Sequence, residues 1–200
     1  TRWRDHDAQQ GKLPVMFLGK EGKEWSAMKR ILLVIDMQND FIDGALGTPE
    51  ATAIVDRVAE EIRKYPATDI IATRDTHTAD YLDSQEGRNL PVPHCIKGTP
   101  GWELHPKIAA VLGSAEVLDK PTFGSVELAK KLYGLSAQDD LDITLVGLCT
   151  DICVVSNALL IKAFLPETPV RVVAECCAGV TRESHQAALD TMKMCQIQIQ

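Results

Sequence analysis

Three residues that could act as acid, base and nucleophile follow strand-like runs of apolar residues. Asp36 comes directly after the run ILLVI, Lys120 follows VLD, and Cys153 follows TDI, a few residues past a third run, ITLV. Ligands of open α/β sheets bind in the crevice at the carboxyl ends of the strands, where residues distant in sequence meet. A carboxylate, an ammonium group and a thiol at that edge are the components of nucleophilic catalysis by cysteine. The sequence therefore predicts a cysteine-dependent active site.

Asp75, His77 and His94 form a second group, which could hold a metal ion. They lie in a long segment, 75–106, that has no periodic pattern and is rich in Pro, Gly, Asn and Asp. Asp75 and His77 are two residues apart, so their side chains point the same way in an extended chain. A carboxylate with two imidazoles leaves coordination positions open for water or substrate, as in zinc, iron or manganese sites. The alternative is that the Asp-x-His pair only caps backbone amides.

From residue 29 onward, strand-like and helix-like patterns alternate, as a parallel sheet with crossover helices requires. The predicted strands are 31–35, 69–73, 116–118, 143–146, 170–173 and 197–199. The predicted helices are 49–64, 126–132, 151–164 and 181–194, the last opened by Thr181 with Ser184 three residues on. These patterns favour an α/β fold, with three layers (α/β/α) built around a mostly parallel sheet of about six strands.

The composition of the chain argues against two classes of binding partner, nucleic acids and membranes. The chain has 200 residues, of which 45% are hydrophobic and 24% charged, and its formal net charge is -7. Nucleic acids and anionic membranes attract clustered Lys and Arg, so this balance argues against both. No apolar run approaches the ~20 residues that a membrane-spanning helix needs. We therefore expect a small-molecule substrate. Because oligomers are common among α/β enzymes of this size, we also expect a homo-oligomer.

The first 27 residues have no periodicity, whereas the strand pattern starts directly after Met28. We therefore predict that residues 1–27 are an N-terminal arm or a vector-derived extension, and that residues 28–200 form a single domain. A chain of this size with a large α/β core does not need disulfides, so its six cysteines are read as free thiols in the reducing cytoplasm.

Four separated segments of this domain occur in an order shared by one protein family. They are VIDMQNDF at 34–41, HCIKGTPG at 94–101 with Glu103, His105 and Pro106 after it, the Lys120 segment, and GLCTDICV at 147–154. Together they resemble the isochorismatase-like cysteine hydrolases, and among these the nicotinamidase-related branch, over about residues 29–200. The resemblance implies the fold of that family. It also implies hydrolysis of a C–N amide bond of a small molecule with release of ammonia, most like the conversion of nicotinamide to nicotinate.

The resemblance also implies a role for each candidate. Cys153 is the nucleophile, with Cys149 as the competing thiol, and Asp36 exchanges the proton while Lys120 holds the charges in place. The oxyanion is bound by the backbone N–H groups of Cys149 and Cys153, with a cis peptide bond between Leu148 and Cys149. Because a helix start and a nearby ammonium favour an anion, we expect the pKa of the Cys153 thiol to be lowered.

Asp75, His77 and His94 match the metal ligands of nicotinamidases in type and order, which favours a divalent metal, zinc first, with iron and manganese as alternatives. An aromatic residue usually precedes the second histidine in those enzymes, but the sequence here is LPVP at 90–93. Phe41 and Trp102 are the candidates for the substrate pocket. N-carbamoyl or ureido amides are the alternative substrates, and a non-enzymatic redox thiol sensor is the alternative of another class.

Overall fold

The computed structural model describes residues 28–200, which contain one six-stranded sheet; the predicted segment 1–27 lies outside the described residues. The strands run in the order β3-β2-β1-β4-β5-β6, and every neighbouring pair is parallel. Their bounds are β1 Lys29–Ile35, β2 Ile70–Asp75, β3 Glu116–Lys120, β4 Leu141–Leu148, β5 Val170–Ala178 and β6 Gln198–Ile199. The predicted sheet of six strands is therefore confirmed.

Seven α-helices connect these strands within the described part of the chain. They are α1 Asn39–Ile42, α2 Pro49–Ile62, α3 Gln85–Asn89, α4 Pro106–Leu112, α5 Val126–Ser136, α6 Val155–Phe164 and α7 Arg182–Met194. Short 3-10 turns cover Ala67–Asp69 and Tyr81–Asp83, and a π-helical turn covers Thr150–Val154. Among these residues, no helix has both the length and the apolarity to cross a membrane.

The sheet separates two hydrophobic cores, because alternate residues of each central strand point to opposite faces. In β1, Leu32 and Val34 belong to the core that packs under α2 and α4, whereas Leu33 and Ile35 belong to the core under α5, α6 and α7. All four side chains are 0% exposed. Strands buried on both faces explain the continuous apolar runs in the sequence and produce the predicted three layers.

The order of the strands determines where the candidate catalytic residues lie. The chain moves from β1 outward to β2 and β3, then returns to the other side of β1 with β4, so β1 and β4 are neighbours at the point where the direction reverses. Such a switch point opens a crevice at the carboxyl ends of the strands. Asp36 follows β1 there, Lys120 ends β3, and the Thr150–Val154 turn follows β4.

The close contact between β1 and β4 requires a glycine. Gly147 of β4 has a φ of 119°, and a Cβ added to it would lie 2.1 Å from the carbonyl oxygen of Ile35. Any side chain at this position would push β4 away from β1, because heavy atoms do not approach so closely. The strand ends that carry Asp36 and the Cys149 turn therefore stay in register.

Candidate active site

Asp36, Lys120 and Cys153 meet at the carboxyl edge of the sheet, as the sequence predicts. The Lys120 Nζ atom lies 2.7 Å from Asp36 Oδ2 and 3.4 Å from Cys153 Sγ. The three residues are 0%, 1% and 3% exposed, respectively. The arrangement places one ammonium group between a carboxylate and a thiol, away from bulk solvent, where charges interact more strongly than in water.

Asp36 is held by hydrogen bonds from the neighbouring strand. Thr73 Oγ1 donates to Asp36 Oδ1 at 2.7 Å, and the backbone N–H of Asp36 donates to the same hydroxyl at 3.3 Å. Burial raises the pKa of the Asp36 carboxyl, while the Lys120 ammonium and the Thr73 hydroxyl oppose this increase. A buried carboxylate with a raised pKa is a stronger base than an exposed one.

Lys120 remains an ammonium ion although it is buried. Burial alone would lower its pKa, but the carboxylates of Asp36 and Asp75 raise it above its ordinary value. The Nζ atom also donates to the carbonyl oxygen of Thr122 at 3.1 Å and to Asp75 Oδ1 at 3.4 Å. The charge is thus compensated on several sides, as a buried cation requires.

The expectation of a lowered pKa for Cys153 is wrong in this structure. Burial raises the pKa of the thiol well above its ordinary value, the Asp36 carboxylate raises it further, and the Lys120 ammonium only partly opposes them. The sulfur also lies in the π-helical Thr150–Val154 turn rather than in the first turn of α6. The thiol is therefore protonated in the resting protein, and it needs a proton acceptor before it can attack.

Cys149 lies at the start of the same turn. The peptide bond between Leu148 and Cys149 is cis, as the resemblance implies. The Cys149 carbonyl oxygen accepts the backbone N–H groups of Ile152 and Val154, at 3.1 and 3.0 Å. Burial raises the pKa of the Cys149 thiol to about 12, and the Asp151 carboxylate raises it further.

Asp75, His77 and His94 also converge, and a fourth residue, Glu86, joins them. One ligand atom from each of the four lies within 4.8 Å of the others. His77 Nε2 is 2.9 Å from Asp75 Oδ2, and the Nε2 atoms of both histidines are 3.6 Å from Glu86 Oε1. The cluster stands beside the catalytic candidates, since Asp75 Oδ1 is the oxygen that contacts Lys120.

The chemistry of these four donors fits a divalent metal. His77 Nε2 is buried, and its contact with Asp75 Oδ2 does not have the geometry of a hydrogen bond, so among the described residues nothing occupies its lone pair, which is available to an ion. His94 Nδ1 lies 2.8 Å from the carbonyl oxygen of Val92, and this contact assigns the proton to Nδ1 and leaves Nε2 for coordination. Backbone partners of this kind commonly orient histidine ligands of metals. Two carboxylates and two imidazoles suit zinc, iron or manganese.

Glu86 is a candidate ligand that the sequence did not predict. The residue lies in α3, a helix of five residues inside the segment that showed no periodicity, so neither spacing nor helical pattern distinguished it from other acidic loop residues. Ser84 caps this helix by accepting the backbone N–H of Gly87 at 2.9 Å. A Cβ on Gly87 would lie 2.1 Å from the Tyr81 carbonyl oxygen, so the helix packs closely on the preceding turn.

A cavity of about 420 Å³ opens above both groups, and its lining includes Cys153, Asp75 and His94. Apolar side chains form most of the remaining wall; they are Phe41, Leu46, Leu90, Pro121, Phe123 and Ile152. Phe41 also lies 5.5 Å from the His94 ring, centroid to centroid. An apolar cavity with a few polar groups at one end is typical of small-molecule sites.

Trp102 does not line this cavity, contrary to the pocket role expected from the sequence. The guanidinium of Arg74 stacks 3.6 Å from the centroid of the Trp102 ring, and Trp102 Nε1 donates to Thr76 Oγ1 at 2.8 Å. The indole is thus used in packing the loop against the end of β2, where it is only 8% exposed. Sequence proximity to the metal candidates could not reveal this orientation.

Comparisons with known proteins show which proteins the chain is similar to. Residues 30–200 match the family described as isochorismatase domain. The nicotinamidase/pyrazinamidase of Mycobacterium tuberculosis is 30% identical over 193 residues, which cover 85% of this chain and 97% of that protein. The pyrazinamidase of Pyrococcus horikoshii in complex with zinc superposes with a TM-score of 0.68 at 31% identity, over 86% of this chain and 98% of that one. The nicotinamidase/pyrazinamidase of Bacillus subtilis gives a TM-score of 0.73 at 27% identity, over 86% and 99% of the two chains.

Proposed function

The chain belongs to the isochorismatase family, and on that basis we propose that Asp36, Lys120 and Cys153 are its catalytic residues. It is an amidohydrolase that acts on a C–N amide bond of a small molecule, and it is most like the nicotinamidases. The observation that supports these roles is the position of Lys120 Nζ, 2.7 Å from Asp36 Oδ2 and 3.4 Å from a thiol that lines the cavity.

In the proposed first half-reaction, Cys153 Sγ attacks the amide carbon while Asp36 accepts the thiol proton. Asp36 then gives this proton to the leaving nitrogen, so ammonia departs and a thioester remains. In the second half-reaction Asp36 takes a proton from water, the resulting hydroxide attacks the thioester, and the proton returns to the sulfur as the carboxylic acid leaves. Lys120 stabilises the negative charge that moves between Asp36 and Cys153.

The backbone N–H groups of Cys149 and Cys153 are the proposed donors to the oxyanion of the tetrahedral intermediate. Donors of this kind are effective because they are fixed before the reaction and act where water is excluded. In the turn between β4 and α6 that carries both groups, Thr150, Cys153 and Val154 are buried, and backbone hydrogen bonds to the Cys149 carbonyl stabilise the turn.

Asp75, His77, Glu86 and His94 are the proposed ligands of a divalent metal. Zinc is the first candidate because the Pyrococcus horikoshii relative is a zinc complex, and iron and manganese are the alternatives. When bound, the metal supplies a Lewis acid that coordinates a donor atom of the substrate and orients its amide. The cluster contains two carboxyl groups, those of Asp75 and Glu86, which further favours a cation there.

Release of ammonia from nicotinamide by zinc-loaded protein tests the proposal, with Cys153→Ala as its matched variant. We expect hydrolysis of nicotinamide and pyrazinamide that disappears in Cys153→Ala. Hydrolysis only of N-carbamoyl or ureido amides, still dependent on Cys153, would retain the mechanism and replace the substrate. Unchanged hydrolysis in Cys153→Ala, or no release of ammonia from any amide, would contradict the proposed roles and favour a thiol sensor.

We further propose a cytoplasmic location and a homo-oligomeric form. All six cysteines lie in the described residues and are free thiols, which suits a reducing compartment. The formal net charge of -7 is unsuited to binding nucleic acid or an anionic membrane. Closed symmetric assemblies are common among soluble enzymes, and light scattering of the purified protein would measure the number of subunits.

A further inference from the structure

Asn157 is a buried amide in α6 that none of the proposed catalytic steps uses. It is 0% exposed, and it lies four residues after Cys153. Its Nδ2 group donates to the Cys153 carbonyl oxygen at 2.8 Å and to the Phe123 carbonyl oxygen at 3.0 Å. Its Oδ1 accepts the backbone N–H of Ser125 at 2.9 Å. Both donated bonds and the accepted bond thus end on backbone atoms near the active site.

The loop that Asn157 contacts carries part of the cavity wall. This loop, residues 121–125, follows Lys120 directly, and Phe123 lines the cavity with 43% of its surface exposed. The loop approaches α6 closely, since a Cβ on Gly124 would lie 3.2 Å from the Ser156 carbonyl oxygen. One side chain therefore links the backbone of the nucleophile to the backbone of an aromatic wall residue.

Stability alone is a weak reason for an asparagine at this position. Asparagine is an unfavourable residue inside a helix, and burying an amide loses its hydrogen bonds to water. The α5 helix that follows the loop is already capped by Ser125, whose hydroxyl accepts the backbone N–H of Leu128 at 3.1 Å. The three bonds of Asn157 are better explained by a requirement for a fixed distance between two segments.

We propose that Asn157 is a positioning residue that holds the Phe123 wall at a fixed distance from the Cys153 sulfur. A ring bound against Phe123 then presents its reactive group to the thiol. The inference rests on the proposed function for its biological meaning, since it identifies Phe123 as a determinant of preference for amides that carry a ring. Its test is independent of any substrate.

Two substitutions separate the contacts. In Asn157→Thr, the hydroxyl can still donate to the carbonyl four residues earlier, which is that of Cys153, but the bonds to Phe123 and Ser125 are lost. Phe123→Leu keeps an apolar side chain at the wall and removes the ring. Tyr65→Phe is the matched control for stability, because it removes the hydroxyl that bonds to Thr144 and Arg30, in contacts that involve none of the residues around the cavity.

The readout is the ratio of the alkylation rates of Cys153 by N-phenyliodoacetamide and by iodoacetamide, measured on the full chain by peptide mass spectrometry. Both reagents carry the same reactive carbon, and only the first carries a ring. Cys195 is exposed on the surface and is the internal standard for the intrinsic reactivity of each reagent. Circular dichroism verifies that each variant is folded.

We expect the ratio at Cys153 to fall about fivefold in Asn157→Thr and in Phe123→Leu, and no further in the double variant, because coupled residues are not additive. Tyr65→Phe should leave it unchanged. Three results would overturn the proposal. The first is a ratio that Asn157→Thr leaves unchanged, and the second is a decrease in the double variant that equals the product of the two single decreases. The third is an equal loss of alkylation rate with both reagents. If no amide is hydrolysed but the ratios behave as expected, the proposed function fails and this inference stands.

Discussion

The central feature at the level of single residues is a protonated thiol beside an ion pair. The thiol lies where burial raises its pKa, so its attack depends on transfer of its proton. The carboxylate nearest to it also has a raised pKa and can accept that proton. Reactivity in this site therefore comes from a positioned base, and less from a thiolate stabilised in advance.

Asp36→Asn tests this view directly, because it keeps the shape of the side chain and removes its basicity. We expect kcat to fall about 1,000-fold, within the range attributed to general acid–base catalysis. The control is Asp43→Asn, an exposed aspartate of the following loop, which should behave like the wild type. An Asp36→Asn enzyme with normal kcat would assign the proton transfer to another group.

Thr73→Val changes the same carboxylate without replacing it. The Thr73 hydroxyl donates to Asp36 and favours its ionised form, which lowers the pKa. Without this bond the carboxyl holds its proton up to a higher pH, so the acidic limb of the kcat/KM profile should move to higher pH. The comparison is Thr144→Val, another buried threonine of the sheet, bonded to Tyr65. A shift to lower pH, or the same shift in both variants, would contradict the argument.

Glu86→Gln tests the metal cluster at the candidate ligand that has no signal in the sequence. The amide keeps one oxygen but loses the charge, so affinity for zinc should fall by about tenfold or more, as measured by competition with a chromophoric chelator. Asp83→Asn is the matched control, because it removes a nearby exposed carboxylate that is not part of the cluster. Equal zinc affinity in the wild type and Glu86→Gln would exclude Glu86 as a ligand.

At the level of elements, the sequence predicted the strands and helices whose apolar residues follow a repeating pattern. Apolar strands and amphipathic helices such as α2 and α7 repeat their pattern over many residues, and their predicted positions are confirmed. Helices α1, α3 and α4 have four, five and seven residues, too few for a periodic signal, and they were missed. The predicted α-helix 151–164 included residues that form a π-helical turn, Thr150–Val154, before the α-helix begins.

The same limit explains what was found and missed in the candidate site. Asp36, Lys120 and Cys153 were predictable because each follows a strand, and strand ends converge in a parallel sheet. Glu86 and the orientation of Trp102 depend on how an irregular loop folds back, which tertiary contacts decide. The role of Asn157 could not be predicted, because the sequence shows one amide in an apolar helix and does not show which loop that amide contacts.

Helix α7 is coupled to the active-site turn through its N-terminus, which gives a prediction for this element. Ser184 Oγ accepts the backbone N–H of Thr181 at 3.1 Å in the capping box and also donates to Asp151 of the turn. Ser184→Ala should therefore lower the free energy of unfolding by about 1 kcal/mol, as measured in urea. Ser136→Ala, at the exposed end of α5, is the control and should change it by less than about 0.5 kcal/mol. Equal effects would show that the Ser184 contacts do not stabilise the helix start.

In the molecule as a whole, the two faces of one sheet pack into two hydrophobic cores. Every central strand contributes residues to both, so neither layer of helices can leave without exposing a face of the same strands. This arrangement predicts that residues 28–200 unfold as one unit, which is the physical meaning of a single domain. The alternative is that the layer of α2 and α4 unfolds separately from the layer of α5, α6 and α7.

Two large-to-small substitutions, one in each core, distinguish these cases. Ile62 of α2 and Leu132 of α5 are 1% and 0% exposed, so Ile62→Ala and Leu132→Ala should each cost about 2–5 kcal/mol. Pulsed alkylation in increasing urea reports each core, because Cys95 lies in the first and Cys177 in the second. If the domain is single, either substitution moves the exposure midpoints of both thiols together. If only the thiol in the substituted core becomes reactive at lower urea, the layers unfold independently. Joint movement is expected, because release of either layer exposes one face of the sheet that both cores share.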